Sequence, residues 1–298
     1  MYQMKTRLFL VCLGLLLFFR AAHAQDDEFE LQCISNDQFI RIYSDHTIDQ
    51  TRCKSIANTA LKAYAFVSKQ DSWSNTIPLV EKPLDFRLVR EFDKHTLLGY
   101  AQGTSLMAAK DNYLNNTPVS EGTLAHEFTH IQDNRQLKRR KLPSFLMEGR
   151  ASINGHAYRM SLGHSENKFD RQMAGTAMRF TSSEADDLLS DYHGRGWKNQ
   201  AIGAFLVEYM RTKWNGSGIS DINKRLSRMI EIMAKGSGFE TAFQEEFGVT
   251  FDAFRATFIR YLDDTQNEPR TRLQQTMWQS ANPLVASDRS DESHASDE

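Results

Sequence analysis

The stretch Thr123-Leu124-Ala125-His126-Glu127-Phe128-Thr129-His130 carries the residue types of metal-assisted hydrolysis: two imidazoles and a carboxylate in the pattern His-Glu-x-x-His. On an α-helix each residue advances about 100°, so His126 and His130 lie one turn apart on one face. That spacing lets both rings reach one zinc ion, whose bonds to histidine nitrogen are about 2.0–2.1 Å. Glu127 is turned about 100° from His126, close enough to hold a water on the ion without occupying its coordination sphere. So short a pattern also fits an amphipathic helix with two surface histidines. A third ligand favours the metal.

Glu148 supplies that candidate. Pro143 suits the first turn of a new helix, which Ser144, Phe145, Leu146 and Ala151 can continue. Glu148 stands among Phe145, Leu146, Met147 and Ala151, residues of buried type, where a carboxylate is costly unless paired or metal-bound. The distance in sequence from His130 leaves room for the first helix to end, turn and send a second helix back past the ion. The expected centre is one Zn2+ on His126, His130 and Glu148, with Glu127 as general base. The pattern that adds a third histidine on the same segment needs Gly at position 133 and His at position 136. This chain has Asp133 and Gln136 there.

The elements that must position these groups follow from periodicity. Residues 39–43 alternate as a strand, residues 51–69 have helical spacing, and residues 84–89 and 106–109 are further short strands. From Gly122 onward nearly everything reads as helix. A small mixed sheet followed by a helical half predicts an α+β fold instead of alternating βαβ units. Residues 160–190 hold scattered Gly, Ser and Asp, and are expected to form a short helix and a loop near the cleft. Asp133 and Asn134 read as exposed polar helix positions, either able to support a ligand. His156 reads as a satisfied structural histidine, with a place lining the cleft as the alternative.

The run from His126 to Glu148-Gly149-x-Ala151 resembles the gluzincin metallopeptidases, closest to small secreted bacterial peptidases of the peptidase MA-like type. The resemblance covers most of residues 37–262. It extends to an edge strand from Ser105 to Ala109 before the zinc helix, a core helix at residues 200–210 and a closing helical pair at residues 239–262. It implies a zincin-like fold, a bound Zn2+ and hydrolysis of peptide bonds. It also implies a peptide or protein substrate laid as an added strand along the Ser105 to Ala109 segment. Related enzymes stabilise the oxyanion with Tyr or His from the helical half, and Tyr192, His193 and Tyr209 are the candidates here. Tyr192 and His193 precede the residue-200 helix in a Gly-flanked loop, whereas Tyr209 lies in an apolar helix. The aminopeptidase branch marks its site with a carboxylate upstream of the zinc helix. Residues 99–110 contain none, which favours an endopeptidase. Two other readings stay open: a catalytically idle zincin-fold binding module, and a zinc hydrolase of a non-peptide amide.

The ends bound the compartment. Lys5 and Arg7, the apolar residues 8–19 and Ala22-His23-Ala24 form a secretion signal over residues 1–24, with Arg20 its one irregularity. The apolar run is too short to span a bilayer, so no membrane insertion is expected after cleavage. Loss of Lys5, Arg7 and Arg20 takes the formal net charge from −2 to −5, which gives no electrostatic basis for nucleic-acid binding. Cys33 and Cys53 remain of three cysteines, and in an oxidising compartment they are expected to form one disulfide. The expected layout is a secreted or periplasmic peptidase domain over residues 25–265. An acidic, serine-rich tail at residues 266–298 is expected to be partly disordered.

Overall fold

The computed structural model describes residues 29–266 apart from 37, 71–82, 91–98, 103–105, 111–116, 138–139, 165–174, 177–178, 195 and 215–218. The predicted signal therefore lies outside the described residues, as does the predicted tail beyond Gln266. The chain is α+β: a five-stranded mixed sheet in the N-terminal part, followed by a helical half. The strands are β1 (Glu30–Ile34), β2 (Ile40–Ser44), β3 (Leu84–Val89), β4 (Gly99–Gln102) and β5 (Leu106–Lys110). Helix α1 (Gln50–Gln70) follows β2, and α2 (Thr117–Leu137) and α3 (Ser144–Ser161) follow β5. The remaining helices are α4 (Ser182–Ser190), α5 (Trp197–Lys213), α6 (Ile219–Ala234), α7 (Phe239–Phe247) and α8 (Phe251–Gln266).

The sheet order is β1-β2-β3-β5-β4, with β2, β3 and β5 parallel and the two outer strands antiparallel to their neighbours. Alternation decides which face is covered. Ile40, Ile42, Leu84, Phe86 and Leu88 point into a core with α1 and α2. Arg41 and Asp85, register partners on the opposite face, form an ion pair at 2.6 Å. In α1 the buried stripe Cys53, Ile56, Ala57, Ala60, Ala63, Tyr64 and Val67 has helical spacing, and Asp49 caps its start through the Arg52 amide at 3.0 Å.

The strand predicted from Ser105 to Ala109 is β5, and it lies between β3 and β4, so neither of its edges is open to an added strand. The edge nearest α2 belongs to β4, and Ser105 lies outside the described residues. The expected disulfide is present between Cys33 and Cys53, Cα atoms 6.1 Å apart. It joins α1 to β1 itself, a strand that periodicity had not revealed. Closing a loop of that length removes roughly 3 kcal/mol of chain entropy from the unfolded state. No helix among the described residues is long and apolar enough to cross a membrane.

A second core fills the helical half, built from Phe145, Leu146, Ile202, Phe205, Phe243, Phe251, Phe254 and Phe258 among others. Helices α2 and α3 run side by side between the two cores, and α5 packs on the far side of α3. Helix α3 is buried around most of its circumference, which explains why its polar residues all need partners.

Candidate metal centre

His126 and His130 share the face of α2 that meets α3, their ring centroids 4.7 Å apart and their planes at 88°. The opposite side of α2 buries Leu124, Ala125, Phe128 and Ile131 against the sheet and α1, which fixes the direction of the imidazoles. Glu148, in the second turn of α3, brings Oε2 to 3.3 Å from His126 Nε2 and 3.6 Å from His130 Nε2, while the two Nε2 atoms are 3.1 Å apart. The three predicted ligands therefore converge. A tetrahedral zinc with bonds of about 2.05 Å spaces its ligand atoms about 3.3–3.4 Å apart. The three separations of 3.1, 3.3 and 3.6 Å bracket that value. Among the described residues these three side chains are the only group of this kind close enough to hold an ion.

Close helix contacts make the convergence possible. A Cβ added at Gly155 would meet the Gly122 carbonyl oxygen at 2.6 Å and the His126 Cβ at 3.5 Å, so only glycine lets α3 cross α2 beside the first ligand. On the other side, a Cβ at Gly149 would lie 2.2 Å from the Gly203 backbone. That contact draws α5 against α3 and places Gln200, whose Nε2 donates to Glu148 Oε2 at 3.1 Å.

The electrostatics favour a cation. Burial alone would lower the His130 pKa, but Glu148, Glu127 and Asp133 outweigh it and raise it to about 9. Burial would raise the Glu148 carboxyl, yet hydrogen bonds and charge from the two histidines hold it well below the usual carboxylate range. Glu127 is 8% exposed, and among the described residues nothing hydrogen-bonds its carboxylate. A buried acid beside two imidazoles, with no hydrogen bond among the described residues, has the surroundings a metal-centred general base would need.

A polar seam locks α2, α3 and α6 around the site. Asp133 pairs with Arg150, Arg150 reaches Ser227 Oγ at 3.4 Å, Asn154 donates to Thr129 Oγ1 at 3.0 Å, and Asn223 donates to Asn154 Oδ1 at 2.6 Å. Asp133, expected to be an exposed position, is 0% exposed. Burial pushes its carboxyl up, and the Arg150 guanidinium is the main opposing influence. Its Oδ2 and the His130 Nδ1 are both buried without a hydrogen bond among the described residues. His156 is buried, its Nδ1 3.2 Å from Arg159 Nη2.

The oxyanion candidates are not brought to this cluster. The Tyr192 hydroxyl donates to Glu240, and its ring packs on Phe145, Phe239 and Phe251. His193 is exposed, its backbone amide on Asp191 Oδ1 at 3.0 Å, and its ring has no described contact with the ligands. Tyr209 packs against Phe254, Phe258 and Tyr261, a core role. Sequence reasoning missed Gln200 and the Asp133–Arg150 pair. The small residues Gly203 and Ala204, one turn after Gln200, were the available sign of a close helix contact. The chain matches no family model and no curated protein.

Proposed function

We propose that this chain is a zinc-dependent metallopeptidase of the gluzincin type, acting after export in a secreted or periplasmic setting. The observation that carries the reading is the triangle of His126 Nε2, His130 Nε2 and Glu148 Oε2 at ligand spacing. Three protein ligands with one position left open are the donor set of a hydrolytic zinc site. When bound, zinc supplies an acidified water and polarises a carbonyl. Glu127 takes the proton of the attacking water and then delivers it to the departing amine nitrogen. His126, His130 and Glu148 fix the place of the reaction beside Glu127. Retention of Glu127 with all three ligands argues against an idle binding module. A peptide is held in extended form along the outer edge of β4, which lies beside α2, in place of the central β5. The disulfide agrees with an oxidising compartment.

The test is metal analysis of the mature protein together with a chelator-sensitive digest of a diverse peptide library. Glu127→Gln is expected to keep stoichiometric zinc and lose turnover. Undiminished cleavage by that variant would remove the mechanism, and stoichiometric zinc with no cleavage of any peptide would move the assignment to a binding module.

A further inference from the structure

Glu148 comes from a different helix than the imidazoles and reaches them on a flexible stem, so its carboxylate needs something to set its orientation. Its Oε2 is the shared vertex of three contacts: His126 Nε2 at 3.3 Å, His130 Nε2 at 3.6 Å and Gln200 Nε2 at 3.1 Å. We infer that Gln200 is a positioning residue of the metal centre, its amide N–H occupying one lone pair of Glu148 Oε2 and leaving the other directed at the ion. This inference rests on the metal-site reading above.

The chemistry of the pair sets the direction of the bond. A carboxylate with two histidines beside it only accepts, so Gln200 must present its amide nitrogen and not its oxygen. A carboxylate can bind an ion through one oxygen or both, and the second oxygen would take the position a hydrolytic site leaves for water. An N–H donor fixed on Oε2 restrains the rotation that brings Oε1 in, and so holds Glu148 to ligation through one oxygen. The donor is itself held, because α5 is drawn onto α3 at Gly149 and Gly203, one turn from Gln200 on the same helix. Outer partners of metal ligands act in this way: they orient the ligand and tune the ion without touching it.

The experiment uses the full mature chain with zinc and cobalt as probes. Gln200→Met keeps the length of the side chain and removes the donor. Gln200→Ala is the second variant, tolerable because position 200 is half-buried. Zinc affinity by competition with a chromogenic chelator is expected to fall about 10- to 100-fold in both. The visible absorption of the cobalt-loaded protein is expected to weaken as a four-coordinate ion gains a fifth ligand. The melting temperature in chelator should stay at the native value, which a purely structural role would not allow. Native zinc affinity and a native cobalt spectrum in a folded variant would overturn the inference while leaving the hydrolase reading intact. Failure of the unaltered protein to bind zinc would overturn both.

Discussion

Gly149→Ala tests whether helix packing sets the metal geometry. An added Cβ at this position meets Gly203 C and O at 2.2 Å and Ala204 N at 2.8 Å, all of them backbone atoms that no rotamer change can move. Restoring ordinary contact at 3.4 Å requires α3 and α5 to part by about 1.2 Å. A 3.1 Å hydrogen bond between Gln200 and Glu148 does not survive such a displacement. Overpacking of this kind costs about 3 kcal/mol, and replacing a mid-helix glycine returns about 1 kcal/mol, which leaves a net loss of about 2 kcal/mol. For a chain of this size that lowers the melting temperature by about 4–8 °C. Displacing Glu148 relative to the imidazoles is expected to weaken zinc about 100-fold. Gly175→Ala is the control, since among the described residues nothing lies within 4 Å of its added Cβ, and it should leave both quantities unchanged. Calorimetry of the metal-free protein and chelator competition measure the two effects. Gly149→Ala with native zinc affinity and a melting temperature within a degree of native would refute the claim that this contact places the ligand.

The buried Asp133–Arg150 pair yields a second prediction: Asp133→Leu is expected to cost about 3–5 kcal/mol in denaturant unfolding, and Asp133→Leu with Arg150→Met to recover most of it. A double variant as unstable as the single one would show that the pair is worth more than its desolvation. Alkaline stability is governed in part by Tyr158, whose hydroxyl is raised to about 12 by burial and by the Glu121 charge. A pKa raised in the folded state gives stability that is complete below pH 10 and lost as pH climbs toward 12. The loss is about 1–2 kcal/mol after solvent screening. Tyr158→Phe should lose Tyr158's share of that decline and fall less steeply, the other raised tyrosines remaining, and parallel alkaline unfolding curves for the two proteins would exclude it. Metal removal should leave the helices folded, because two apolar cores hold α2, α3 and α5 in place independently of the candidate ligands. Zinc at a thousand times its Kd should then add about 4 kcal/mol of stability, and collapse of the circular dichroism signal in chelator would contradict this.

What the sequence disclosed and what it concealed divide along physical lines. Residues 84–89 and the α1 stripe announce themselves because their burial follows from local alternation and helical spacing. The candidate ligand cluster was legible because two of its members lie one turn apart and the third is a carboxylate in apolar company. Strand β4, Gly99-Tyr100-Ala101-Gln102, has no alternating branched residues and exists through its register with β5, so periodicity alone points to β5 as the edge. Strand β1 leaves Leu31 48% and Ile34 40% exposed around a shift in register, which breaks the pattern a strand normally shows. Gln200 and Asp133 were hidden for another reason. A polar residue on a helix reads as exposed unless its partner is known, and their partners Glu148 and Arg150 sit on a different helix.

The seam between the two cores explains why so much polarity is buried around a few ligand atoms. Leu124, Phe128 and Ile131 anchor α2 to the sheet side, while Phe145, Leu146, Ile202 and Phe205 anchor α3 and α5 to the helical side. Apolar contacts of this kind tolerate repacking and small rotations with little loss of energy. A buried ion pair adds little stability over apolar residues of equal volume, so stability alone does not account for Asp133 and Arg150. Orientation does. Thr129 and Asp133 lie one turn apart on α2, Arg150 and Asn154 one turn apart on α3, and Asn223 and Ser227 one turn apart on α6, so the hydrogen bonds register three helices at two heights. Turning α2 by a single residue, about 100°, would break both levels and carry His126 and His130 away from Glu148. The polar seam thus costs little in stability and selects the one rotation of α2 that presents both imidazoles to the carboxylate.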